Sequence, residues 1–102
     1  MQATLFGNSI QEQFWVFHHD NPQVYVHLVR LAREWKQAGN RKLGIATLFE
    51  KLRWDYHLSG IKDDAGYKLN NNYRAMYARL IMEQEQDLKG IFEIRQLKSG
   101  AE

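Results

Sequence analysis

Three stretches of the chain repeat apolar residues at the spacing of one helix face. Between Pro22 and Ala38, Val24, Leu28, Leu31, Ala32 and Trp35 recur at helical intervals, with Tyr25 and Val29 widening the stripe. Gln23, His27, Arg30, Arg33 and Lys36 fall outside it, which predicts His27, like His57 further on, to face solvent. Asp20-Asn21-Pro22 marks the start, a capping side chain ahead of a first-turn proline, and Gly39-Asn40 marks the stop. Ile45, Leu48, Phe49, Leu52 and Tyr56 stand at i, i+3, i+4, i+7 and i+11 and predict a second helix with a narrow apolar face. Trp54 lies on the far side of that helix at about 100° per residue. A loop, the Phe14-Trp15-Val16-Phe17 cluster or a partner must cover it, or it is exposed; tryptophan is enriched at contact hot spots.

The third helix is entered through Asn70-Asn71-Asn72, whose side chains can accept from the first free amides. Tyr73, Met76, Tyr77, Leu80, Ile81 and Gln84 share one of its faces, and Ala75, Ala78 and Met82, flanked by Arg74 and Arg79, share the other. It is expected to end within residues 83–87, with a further turn at Leu88 and a break at Gly90. The period changes over Ile61-Lys62-Asp63, Asp64-Ala65-Gly66 and Tyr67-Lys68-Leu69, a pattern that predicts a short β-hairpin, and Ile91 to Leu97 predicts a terminal strand. Residues 1–13 show no period and are expected to form a flexible N-terminal arm. The expected architecture is thus mainly α, a single domain over residues 14–98. Its three-helix core, hairpin and terminal strand make it winged-helix-like, although about fourteen residues between the second and third helices exceed a helix-turn-helix turn.

Composition narrows the functional classes. At 102 residues, with 44% hydrophobic content and thirteen aromatics, the chain can bury one small core but not an enclosed, thick-walled chamber. No cysteine is present, which excludes disulfides, thiolate nucleophiles and zinc ribbons. No apolar run approaches the roughly 20 residues of a membrane span and the N-terminus does not read as a signal peptide, so a cytoplasmic protein without membrane contact is expected. The net charge is only +2. Yet residues 41–80 hold Arg41, Lys42, Lys51, Arg53, Lys62, Lys68, Arg74 and Arg79 against Glu50, Asp55, Asp63 and Asp64, while acids outnumber bases from Ile81 onward.

Catalytic patterns are thin. His18-His19-Asp20 has metal-ligating side chains, but neighbours on a helix diverge and cannot chelate one ion alone. Asp63, Asp64, Glu93 and Arg95 make an imperfect metal-nuclease pattern, with arginine where a lysine is expected. No serine sits in a nucleophile elbow and no glycine-rich loop follows a strand. No enzyme activity, cofactor or metal is expected.

The stronger constellation is the third helix itself. Small alanines permit close approach, arginines make charge-assisted bonds to phosphates, and asparagine and arginine suit the edges of adenine and guanine. Double-stranded DNA is therefore the expected partner, through Asn71, Asn72, Arg74, Ala75, Ala78 and Arg79, with Arg53, Lys62 and Lys68 on phosphates. The alternative is an accessory or inhibitor module acting by protein contact, a homodimer included, through Trp54 or the Ala75, Ala78 and Met82 face.

Phe17-His18 with Asn21-Pro22 and Tyr25, Leu48-Phe49-Glu50-Lys51-Leu52-Arg53-Trp54, Tyr67-Lys68-Leu69-Asn70-Asn71-Asn72-Tyr73, Tyr77-Ala78-Arg79 and Phe92-Glu93-Ile94-Arg95 follow one another in order. This order resembles a family of small bacterial and phage proteins over residues 14–98. The resemblance implies no activity, ligand or catalytic residue; it implies that Trp54 packs the Asn70 to Asn72 turn or belongs to a shared surface.

Overall fold

The computed structural model describes residues 9–59 and 69–93. These residues form four helices, α1 (Ile10–Asp20), α2 (Pro22–Gln37), α3 (Ile45–Ser59) and α4 (Arg74–Gln84), with single 3-10 turns at Asn71–Tyr73 and Gln86–Leu88 on either side of α4. α2 packs on α1, α3 and α4, and α3 packs on α4. The three sequence-predicted helices are α2, α3 and α4; α1 is an additional member of the core.

The start of α1 corrects the expected arm. Ser9 Oγ accepts from the Glu12 amide at 3.1 Å while the Glu12 carboxylate accepts from the Ser9 amide at 3.3 Å, a reciprocal capping box. Ser9 caps the helix and residues 10–13 form its first turn, not an arm; residues 1–8 lie outside the described residues. The apolar cluster splits by helical period: Phe14 and Phe17 are buried, Trp15 and Val16 exposed. The Asn21 amide and its side-chain Nδ2 both donate to the Phe17 carbonyl, so Asn21 closes α1 rather than capping α2. Pro22 follows at the first position of α2, where its missing N–H has no helical partner to lose.

The apolar stripes meet at the centre. Val24, Leu28, Leu31 and Ala32 of α2, Leu48, Phe49 and Leu52 of α3, and Tyr77, Leu80 and Ile81 of α4 are all buried. Phe14 brings its ring edge-to-face against Tyr77 at 4.8 Å and within 5.8 Å of Tyr73, which ties α1 to α4. Gly39 ends α2 at φ +99°, in the left-handed region that glycine enters without a steric penalty.

Two sequence expectations for the β elements fare differently. The hairpin over Ile61 to Leu69 lies outside the described residues except for Leu69, which is buried. Ile91 and Phe92 are also buried, but among the described residues they form no strand. Phe92 pairs with Leu43 in an isolated parallel bridge, and the Leu43 amide donates to the Ile91 carbonyl at 3.0 Å. The rest of the expected terminal strand lies outside the described residues. No helix among the described residues is long and apolar enough to cross a membrane.

Candidate nucleic-acid interface

Ion pairs divide the basic residues into engaged and free. Arg33 of α2 reaches Glu85 at 2.7 Å and Asp87 at 2.8 Å, fastening α2 to the turn after α4. Tyr25 adds a 2.8 Å bond from its hydroxyl to Glu85; burial first, then this bond to a carboxylate, pushes the Tyr25 phenol upward. Lys36 donates to the Asp87 carbonyl, Arg30 pairs with Glu34, and Lys51 pairs with Asp55. His27, expected in solvent, is half-buried between α2 and α3. Its Nε2 lies 3.2 Å from Asp55 and its ring meets Tyr56 edge-on. The period of α2 alone misplaces it, because Asp55 offers a polar partner at the helix interface.

Two further predicted contact residues are held within the fold. Arg53 reaches Glu50 at 2.7 Å, the Leu69 carbonyl at 2.8 Å and the Asn71 side-chain oxygen at 2.6 Å. Its guanidinium therefore fixes the approach to α4, and both it and the Asn71 oxygen already have partners within the fold. Asn70, not Asn71 or Asn72, is the cap, accepting from the Asn72 amide at 2.8 Å. Arg74 is half-buried, with Nε donating to the Asn71 carbonyl. Ala78 is buried in the core and Met82 packs against it, whereas Gln84, expected on the apolar face, is exposed. Lys62 and Lys68 lie outside the described residues.

The exposed stripe of α4 is accordingly narrower than its sequence suggests. Asn72, Ala75, Arg79 and Glu83 occupy it at i, i+3, i+7 and i+11. Arg79 is exposed, and its side chain has no hydrogen bond or acid partner among the described residues; the same holds for the side chains of Lys89 and Arg41. These free cations are bridged by hollows: one of ≈ 710 Å³ has Arg79, Glu83, Gln86 and Lys89 on its walls, and one of ≈ 160 Å³ has Lys89, Arg41 and Lys36. Gly90 lies on both, at φ +81°, where a side chain would be strained. Sequence reasoning missed Lys89 and Arg41 as contacts, since nothing short of the fold brings residues 48 apart to one ledge.

Elsewhere, α3 presents Trp54 and Leu58, 62% and 66% exposed, one helical turn apart. Among the described residues no group of three His, Asp or Glu side chains is placed to hold a metal ion. His18 turns into a ring cluster of Phe14, Trp15, Tyr25 and Tyr77, while His19 faces outward beside Asp20. Comparison with protein-family models, with curated proteins and with solved structures gives no match.

Proposed function

We propose that the protein binds nucleic acid through the free cations of α4 and its flanking loops. The observation that carries this is the set Arg79, Lys89 and Arg41: exposed, without carboxylate partners among the described residues, and lining two neighbouring hollows that share Lys89. Most other bases on the described surface already serve an intramolecular bond, so these three are where an external polyanion gains most from charge. Asn72, in the turn before α4, and Ala75 extend the contact toward the start of that helix.

A second reading has its own observation. Trp54 and Leu58 form an exposed apolar pair on α3, a chemistry suited to a protein partner or a second copy of the chain.

Titration of a fluorescent oligonucleotide at several salt concentrations tests the first. Three phosphate contacts give log Kobs a slope of about −2 to −3 against log salt, so affinity falls about 15- to 65-fold between 50 and 200 mM. Absent binding at low salt refutes the proposal, and a dimer broken by Trp54→Ala supports the second reading.

A further inference from the structure

Resting on the nucleic-acid function proposed above, we infer that the ligand is a single strand, with a base stacked on Trp15 and its phosphates on Arg79 and, beyond it, Lys89 and Arg41. A third hollow, of ≈ 260 Å³, opens between α1 and α4 and is lined by Trp15, Gln11, Met76, Arg79 and Glu83 among others. It shares Arg79 and Glu83 with the ≈ 710 Å³ hollow, which in turn shares Lys89 and Gly90 with the one beside Arg41. Arg79 and Glu83 stand between the first two hollows and Lys89 and Gly90 between the second and third, whose wall also carries Asp87, so a tryptophan lies at one end of the series and cations follow it.

The shape selects the strand over the duplex. A helix that reads duplex DNA must project into a major groove about 12 Å wide. The exposed stripe of α4 is instead bounded, by α1 along its middle and by the turn at residues 86–90 beyond its end. A base splayed from an unpaired strand can reach the Trp15 ring, whereas one stacked within a duplex cannot.

Trp15 is built as a stacking platform. It is 52% exposed, and its ring is braced edge-to-face by Phe14 at 4.9 Å, itself buried in the core. His18 adds a second edge-on contact at 5.9 Å, so the indole is braced by two rings while half of its surface meets solvent. A base stacked there presents its phosphate to the neighbouring Arg79, the pairing of aromatic ring and cation that serves sequence-tolerant strand binding. Glu83 is the one opposing charge shared by two of the hollows and weakens phosphate binding.

The probes are a 20-nucleotide oligothymidylate, the corresponding 20-base-pair duplex and heparin, titrated at 50 mM salt. Oligothymidylate is expected to bind tightest and to quench tryptophan emission, a quench that disappears in Trp15→Phe. Trp15→Ala lowers oligothymidylate affinity about 5- to 100-fold and leaves heparin affinity within twofold, and Trp15→Phe restores most of the loss. Arg79→Ala with Lys89→Ala weakens both polyanions, and Glu83→Gln tightens both. Duplex bound as well as or better than the strand, or an unchanged quench in Trp15→Phe, overturns the single-strand inference while leaving the nucleic-acid function standing. Heparin and both nucleic acids all failing to bind overturns the two together.

Discussion

Arg53 of α3 donates to the side-chain oxygen of Asn71 at 2.6 Å, across the gap between α3 and the turn that opens α4. Both residue types suit DNA contact, and the fold uses each to hold the other. Arg53→Ala should cost about 1–3 kcal/mol in urea unfolding, because it leaves the half-buried Leu69 carbonyl without its donor. Oligonucleotide affinity should stay within twofold. Arg53→Lys should recover little of the stability, since one ammonium on a flexible stem cannot reproduce the planar fork.

The start of α1 gives a second test. Ser9→Ala removes the acceptor for the Glu12 amide and should destabilise the protein by about 1 kcal/mol, read as a shift in denaturation midpoint. A flexible arm over residues 1–13 would show no change.

Tyr77 is fully buried, and among the described residues its hydroxyl has no hydrogen-bond partner. Burial, followed by the charges of Tyr73 and Tyr56, pushes its phenol upward. Tyr77→Phe keeps the ring contacts with Phe14 and Phe49 and removes a dehydrated hydroxyl. Unfolding free energy should hold or rise, by up to about 1 kcal/mol; a clear loss would show that the hydroxyl contributes.

Acid should weaken the fold in two stages. Burial, then the neighbouring His19, holds the His18 imidazole below its ordinary 6.5, so the folded protein favours the neutral ring. Stability is then full above pH 6.5 and falls as pH drops below it, because the unfolded chain takes up the proton first. Burial raises Asp55, but bonds from Lys51 and His27 outweigh it, and its carboxyl is held below the ordinary 3.8; Arg33 does the same for Asp87. Their contribution is present above pH 3.8 and is lost as pH falls beneath it. Thermal midpoints from pH 8 to 3 should show both steps, and His18→Phe should flatten only the first.

How much of this was legible in the sequence follows from which interactions are periodic. The stripes of α2 and α3 predict their buried residues closely, because the apolar side chains of an amphipathic helix meet the core at fixed angles. α1 escaped notice because its capping box sits in polar surroundings and its aromatic cluster reads as continuous; spacing Phe14 and Phe17 at i and i+3, with Trp15 off that face, was the available signal. The arginines of the central segment illustrate the harder limit. Composition counts Arg53, Arg74 and Arg79 alike, while hydrogen bonds to Leu69 and Asn71 engage the first two and leave Arg79 exposed and unpaired among the described residues. Lys89 sits in the acidic end of the chain and joins the basic ledge only through the turn after α4.

The salt dependence of oligonucleotide binding, measured side by side for the unaltered protein and for Arg79→Glu with Lys89→Glu, bears most directly on the whole. The free cations predict micromolar or tighter binding at 50 mM salt, a log–log slope of about −2 to −3, and at least a tenfold loss in the double variant with its melting curve intact. A folded double variant that binds as the unaltered protein does, or a slope near zero, would contradict them.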